Sequence, residues 1–365
     1  MLQKSYEPKR NDRMSLTNVL FLAEELRVGG AETYFYKIEN KIDLKKINFY
    51  TAAVNGRCFD KLNNKHMYFE YEKGLFSKIK TIKKIVISKN INVIHANSLR
   101  LAIISSIVKK LYKKDLKIVY TKHNLTILEK IHTKLFSAFV NKNVDIVLAV
   151  CNKDRDNMIS IGVSEEKVKV IPNSIDLKHF KFNSKYLRDA GKDFKVGMLS
   201  RLSKEKNHEF FLDIAEKADF RALIGGDGPL REEINNRIEK SNLKKKVKML
   251  GNIENSYEFL SSVDVMLLVS TREIFPMTLL EAMAVGTIVI SVDIGGIRDC
   301  VINDKTGYVI DDYQSEKFIT KISDILSDYD KNKELISAAR ELVENSFNLD
   351  ITIDELQRLY GEVGL

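Results

Sequence analysis

The chain has 365 residues, 44% hydrophobic and 30% charged, which is enough for two ordinary domains each with its own core. The formal net charge is +9, and no apolar run approaches the ~18 residues of a membrane-spanning helix. Cys58, Cys151 and Cys300 are odd in number and far apart, which argues against a metal site or disulfide framework and for a reducing, cytoplasmic setting.

Met1–Ser15 is polar and charged, has no apolar centre of a secretory signal, and is expected to be a loose tail. The charge is uneven. Residues 1–180 hold 33 Lys+Arg and 18 Asp+Glu, a formal +15, and the remainder carries a formal −6. A basic half joined to a mildly acidic half implies two surfaces with different partners, the basic one suited to anionic lipid or anionic substrates. No aromatic-rich nucleic-acid motif accompanies it, so no nucleic-acid partner is expected.

Asn18–Leu22 reads as a first buried strand. The loop after it ends in Gly29-Gly30, which permits close backbone approach by a ligand at a strand's carboxyl end, and a helix opens there. The spacing is not G-x-G-x-x-G. Residues 48–54, 92–95, 116–121 and 144–150 read as strands, and 73–89, 98–110 and 127–141 as helices. This alternation predicts a parallel sheet covered on both faces, with ligands gathered at the carboxyl ends of its strands. His95 and His123 each close a strand.

In helix 73–89, Leu75, Ile79, Ile82 and Val86 form one apolar face, and Lys78, Lys80, Lys83 and Lys84 crowd the other positions. Two readings stay open: an ordinary helix covering the sheet, or a contact with an anionic membrane surface to which Lys109-Lys110 and Lys113-Lys114 add. Asp154 and Asp156 fall in the first turn of a helix, where the helix dipole explains acidic residues, so no metal role is assigned to them.

Val168–Asp176 ends the first half, and the polar stretch after it reads as a linker. Strand and helix then alternate again. Phe194–Leu199 leads into Ser200-Arg201-Leu-Ser-Lys-Glu-Lys206-Asn207, and Ala222–Ile224 leads into Gly225-Gly226-Asp-Gly-Pro229, where Pro229 starts a helix. Val247–Leu250 precedes the loop Gly251-Asn252-Ile253.

The apolar run Val265–Val269 precedes Ser270-Thr-Arg-Glu273-Ile-Phe275-Pro276-Met277-Thr278-Leu279-Leu-Glu281-Ala-Met-Ala-Val-Gly286. Pro276 is expected at a first helical position, leaving the amides of Met277, Thr278 and Leu279 free at a strand's carboxyl end, a ready anion site. Glu273 and Glu281 could accept hydrogen bonds from sugar hydroxyls on either side of a phosphate. The stretch therefore suits a sugar–phosphate–sugar ligand such as a nucleotide sugar. Helices are expected from Asp312 on, with a join near Phe347.

This stretch resembles the E-x7-E segment of the retaining glycosyltransferases of family 4 (GT4), with the GT-B fold, where the common form is E-G-F-P-x-x-x-x-E-A-M-A-x-G. Gly29-Gly30-Ala31-Glu32, Val170-Ile-Pro-Asn-Ser-Ile-Asp176, Arg201 with Lys206, and Gly226-Asp-Gly-Pro229 resemble further segments of that family in the same order. Ile274 and Ser174 replace family glycines, and Asp299 stands where glutamate is common.

The resemblance implies an α/β protein of two facing Rossmann-like domains with parallel sheets and a central cleft. The expected parts are a tail 1–15, an acceptor-binding domain 16–180, a linker 181–193, a nucleotide-sugar-binding domain 194–345, and a C-terminal helix 346–365 returning to the first domain. It implies metal-independent retaining transfer of a sugar from a nucleotide-diphosphate donor to a cell-surface polysaccharide or glycolipid, with no cofactor.

Arg201 and Lys206 would stabilise the leaving diphosphate, Glu273 would hold the transferred sugar, and His123 would support the reacting centre. Gly29, Gly30, Gly226, Asn252, Ile253, Phe275, Pro276, Met277, Thr278, Leu279 and Glu281 would bind the donor. The implied location is cytoplasmic, peripheral on the inner face of the membrane. The departures leave a second reading, a non-catalytic subunit of the same fold that binds another transferase or the membrane. The donor base, the sugar and the acceptor are not encoded legibly.

Overall fold

Two separate parallel sheets organise the chain. The computed structural model describes residues 16–26, 30–183 and 194–364. The expected tail 1–15, Gly29, and residues 184–193 of the linker lie outside the described residues.

The first sheet contains β1 (Asn18–Glu25), β2 (Asn48–Val54), β3 (Tyr68–Glu70), β4 (Val93–Ala96), β5 (Lys117–Lys122), β6 (Ile146–Ala149) and β7 (Val168–Val170). Its seven strands run in the order β3-β2-β1-β4-β5-β6-β7. The second contains β8 (Lys195–Leu199), β9 (Arg221–Gly225), β10 (Val247–Gly251), β11 (Val265–Leu268), β12 (Ile288–Val292) and β13 (Tyr308–Ile310). Its six strands run β10-β9-β8-β11-β12-β13. Both are doubly wound, and the order reverses between β1 and β4 and between β8 and β11. Ligands in such sheets sit outside the carboxyl ends of the strands at these reversals.

Apolar runs buried on both faces explain the parallel pairing. Ile82, Ile85, Ile104 and Phe136 cover one face of the first sheet. Phe35, Ile38, Leu356 and Tyr360 cover the other. The last two belong to the helix Leu349–Gly364, so the end of the chain completes the core of the first half.

The three-residue strands β3, β7 and β13 were not predicted, because three residues carry no period. Predicted helix 127–141 is two helices, Ile127–Ile131 and Thr133–Asn143, broken at His132 with ψ 54°. Predicted helix 73–89 spans Leu75–Ser88 and packs through most of its expected face, with Ile82 and Val86 buried and Ile79 against the core. Its buried residues are Lys78, Ile82, Ile85 and Val86, with Lys78 ion-paired to Glu24, while Leu75 and Phe76 are exposed.

Pro276 is the N-cap of the helix Met277–Val285, one place before the expected position. Pro229 lies in a turn ahead of the helix Arg231–Lys240 rather than starting it.

Candidate functional site

The strand reversal in the second sheet brings two loops side by side. The loop after β8 (200–207) and the loop after β11 (269–276) leave hydrogen-bonded neighbours. Backbone bonds then join them: Thr271 N–H donates to Glu205 O at 2.8 Å. Within the first loop, Ser203 Oγ donates to Glu205 Oε1 at 2.7 Å, and Tyr313 Oη donates to Ser270 O in the second. This bracing sets Lys206 against Glu273, Nζ to Oε1 at 2.5 Å. Ser270 Oγ donates to the same oxygen at 2.8 Å. The other carboxylate oxygen of Glu273 stays available.

Two glycines let neighbouring loops close in. Gly226, at φ +129°, would carry a Cβ 1.9 Å from Ser200 O. Gly295, at φ +59°, would carry one 2.2 Å from Glu273 O. Only glycine fits either position. Gly226 N–H also donates to Gly251 O at 2.7 Å, which ties in the loop containing Asn252 and Ile253.

The helix Met277–Val285 has no side-chain cap, since its N-cap is proline. Among the described residues the amides of Met277, Thr278 and Leu279 donate to no backbone carbonyl outside the helix. Such an end is electropositive and unsatisfied.

The first half faces this shelf with the segments that follow β5 and β6. His123 follows β5. Asn97 Nδ2 donates to Leu22 O, so its Oδ1 accepts from His123 Nε2 at 3.2 Å. That bond puts the proton on Nε2 and leaves Nδ1 an acceptor. Tyr34 packs edge-on against the ring at 4.8 Å. Burial depresses the His123 pKa to about 4, so the imidazole is neutral near pH 7.

His95 is different. Its ring bridges Tyr360 Oη and Thr121 Oγ1 in the sheet core, and burial lowers its pKa to about 3. It is a structural link to the C-terminal helix.

A cavity of about 450 Å³ lies between the halves. His123, Asn124 and Asp154 line it from the first half, and Lys206, Glu273 and Phe275 from the second. The structure therefore brings His123, Lys206, Glu273 and Phe275 together. Arg201, Gly226, Asn252, Ile253, Pro276, Met277, Thr278, Leu279 and Glu281 do not line this cavity, and Arg201 is exposed with no ion pair among the described residues. Gly30 opens the helix Gly30–Lys41 in the first half, and Gly29 lies outside the described residues.

Glu281 sits at a second meeting of the halves. Its Oε1 is 3.9 Å from Lys37 Nζ, close enough for an ion pair but too long for a hydrogen bond. Burial raises the Glu281 pKa, opposed by Lys37 and by the Ser256 hydroxyl. Burial lowers that of Lys37, opposed by Glu281 and Asp176. Asp299 makes a third contact across the cleft: it accepts from the backbone N–H of Asn152 at 2.6 Å at the start of the helix Asn152–Ser160.

Asp154 has a structural explanation: its carboxylate pairs with fully buried Lys122, which also meets Glu129 at 3.1 Å. Among the described residues no group of His, Cys, Asp and Glu could hold a metal ion. Sequence reasoning missed Lys37, Asn97 and Lys122. Each acts through a partner on another element, and no linear pattern marks such pairs.

Residues 28–179 match the model "Glycosyltransferase Family 4", and 180–342 match "Glycosyl transferases group 1". The chain is 24% identical over 360 residues to the N-acetyl-alpha-D-glucosaminyl L-malate synthase of Bacillus anthracis, covering 94% of this chain and 92% of that one. It is 26% identical over 310 residues to the UDP-Gal:alpha-D-GlcNAc-diphosphoundecaprenol alpha-1,3-galactosyltransferase of Escherichia coli, covering 79% of each. The crystal structure of Anabaena HepE in complex with UDP and glucose superposes with a TM-score of 0.81 at 19% identity, covering 95% of this chain and 100% of that one.

Proposed function

The chain belongs to the GT4-type glycosyltransferases of the GT-B fold, and from that premise we propose that it moves a sugar from a nucleotide-diphosphate donor to a glycan or lipid-linked acceptor, with retention and without a metal. The observation that carries the reading is the cavity in which His123 of one half meets the Lys206–Glu273 pair of the other.

The chemistry follows from the groups available. Breaking the sugar–phosphate bond leaves negative charge on the diphosphate. Lys206, the free guanidinium of Arg201 and the unpaired amides at 277–279 are fixed positive groups for that charge. The free oxygen of Glu273 would accept from a hydroxyl of the transferred sugar. Glu281 would take the ribose hydroxyls, exchanging its long ion pair with Lys37 for hydrogen bonds. Neutral His123 offers Nδ1 as an acceptor at the reacting centre. No side chain is assigned as nucleophile, and attack from the leaving-group face fits that.

Membrane contact belongs to the same proposal. Leu75, Phe76, Ile127, Ile131 and Leu135 are exposed apolar side chains of the basic half, and exposed Lys80, Lys84, Lys130 and Lys134 are close to them in sequence. That combination suits an anionic bilayer surface on the cytoplasmic side. No helix among the described residues is long and apolar enough to cross a membrane.

Ile274, lining the cavity where the family glycine would leave room, favours a second reading, a partner subunit that binds a donor without turnover. One experiment separates the two. The purified chain is incubated with UDP-, GDP- and ADP-sugars in chelator, and nucleoside diphosphate release and the anomer formed are followed by NMR. Release with retention supports the transferase. Stabilisation by a nucleotide with no release in any acceptor extract supports the subunit, and no response to any nucleotide refutes both.

A further inference from the structure

The cavity wall in the first half carries a charge arrangement that donor chemistry does not use. Lys122 closes β5 and is fully buried. It faces two carboxylates, Asp154 and Glu129. Glu129 is fixed on three sides: by the Thr126 capping box, by Lys122, and by Asn157 Nδ2 at 3.3 Å. Asp154 lines the cavity, is 7% exposed, and gives one oxygen to Lys122. Its other oxygen, Oδ2, is buried with no hydrogen-bond partner among the described residues. Asn173, also lining the cavity, has a buried Oδ1 in the same condition.

Two buried acceptors without donors are costly unless something donates to them. Lys122 is shared by two carboxylates and Lys153 also lines the cavity, so the selectivity comes from the two orphan acceptors. A hydroxyl can donate to them, whereas an ionised phosphate or carboxylate oxygen only accepts.

We propose that Asp154 and Asn173 form an acceptor subsite, each taking a hydrogen bond from a hydroxyl of an uncharged sugar ring lodged between His123 and Asn173. This rests on the transferase reading and deepens it: the part of the acceptor nearest the reacting centre is a neutral glycoside. In Asp154→Asn the new amide oxygen still accepts from Lys122, but the bond to the hydroxyl loses its charge assistance, so acceptor binding weakens while the lysine keeps its partner.

The test uses saturation-transfer NMR on the full chain with methyl glycosides of glucose, galactose, mannose and N-acetylglucosamine. L-malate and inorganic phosphate serve as anionic probes, with UDP, GDP and ADP monitored separately by thermal shift. At least one glycoside should bind. Asp154→Asn should weaken that binding by about five- to tenfold, as expected when a hydrogen bond to a charged group becomes a neutral one, and Asn173→Leu by about tenfold, as expected for a lost bond to a buried group. Asp156→Asn, an exposed neighbour on the same helix, should leave it unchanged.

Glycoside binding that survives both subsite variants overturns the proposal, as does binding of only malate or phosphate. So does binding of no glycoside while a nucleotide stabilises the chain, a result that spares the transferase reading. Glycoside binding lost in both variants with no nucleotide effect keeps the sugar subsite and removes the transferase reading. If Asp154→Asn does not fold, Asn173→Leu decides alone.

Discussion

Replacing Lys37 by methionine tests whether the two halves are coupled through a buried charge. Methionine keeps the length and apolar body of the stem and removes the ammonium. Glu281 is then left buried, with the Ser256 hydroxyl as its remaining partner. Breaking a buried ion pair from one side costs about 3–5 kcal/mol. At 3.9 Å, with side-chain exposures of 14% and 11%, this pair belongs at the lower end, about 3 kcal/mol.

The loss must depend on pH, and its sign follows from the direction of the shift. Burial already holds the Glu281 carboxyl above its ordinary value, and Lys37 is the strongest influence opposing that rise. Without Lys37 the folded pKa climbs further. A carboxyl with a folded pKa above its unfolded value binds more protons in the native state between the two, so stability falls as pH rises through that interval.

The variant should therefore lose the full ~3 kcal/mol at pH 8 and less at pH 5, the direction set by the raised Glu281 carboxyl. Melting curves of wild type, Lys37→Met, Glu281→Gln and the double variant at both pH values measure this. Adding Glu281→Gln should restore most of the stability at pH 8. An equal loss at both pH values, or no rescue in the double variant, refutes the coupling.

Lys206→Ala should lower turnover of the donor by about 10²–10³-fold, the usual loss when one preorganised charge is removed. Steady-state kinetics with whichever nucleotide sugar is turned over checks this, and turnover within threefold of wild type contradicts the role. Arg201→Ala should change stability by less than about 0.5 kcal/mol, because the side chain is exposed, yet weaken nucleoside diphosphate binding by calorimetry. Gly295→Ala, at φ +59° with 2.2 Å to Glu273 O, should cost about 1–3 kcal/mol and displace Glu273 from Lys206, visible as lower donor affinity. His95, His123 and His208 have pKa values lowered to about 3, 4 and 4, chiefly by burial. Each binds fewer protons folded than unfolded, so stability should fall as pH drops below about 6.5; melting temperatures from pH 7 to 4 test it, and a flat profile contradicts neutral buried imidazoles.

The fold was legible because each long apolar run is a strand buried on both faces, and each is followed by a helical period. Where the run shortens to three residues, at β3, β7 and β13, the signal vanishes. In helix 75–88 the apolar face was legible at Ile79, Ile82 and Val86, but Lys78 looks like a surface residue in sequence. Its burial depends on Glu24, 54 positions away. Motif spacing pointed to Lys206 and Glu273 separately, but only the pairing of β8 with β11 puts them in contact. Lys37, Lys122 and Asn97 carried no signal, since each is defined by a partner on another element. Asp154 was read as a helix-dipole acid, and its lysine partner became visible only once β5 lay beside the helix that carries it.

The helix Leu349–Gly364 supplies Leu356 and Tyr360 to the core of the first half, and Tyr360 bonds to His95 there. During translation the first sheet emerges complete as far as β7, yet one of its faces, covered in part by the helix Gly30–Lys41, stays partly bare until almost two hundred further residues have been made. At roughly 5–20 residues per second that is an interval of about 10–40 s. Nascent chains of this protein should therefore present a sticky, half-built first domain to chaperones, and become protease-resistant throughout only once this segment has left the ribosome.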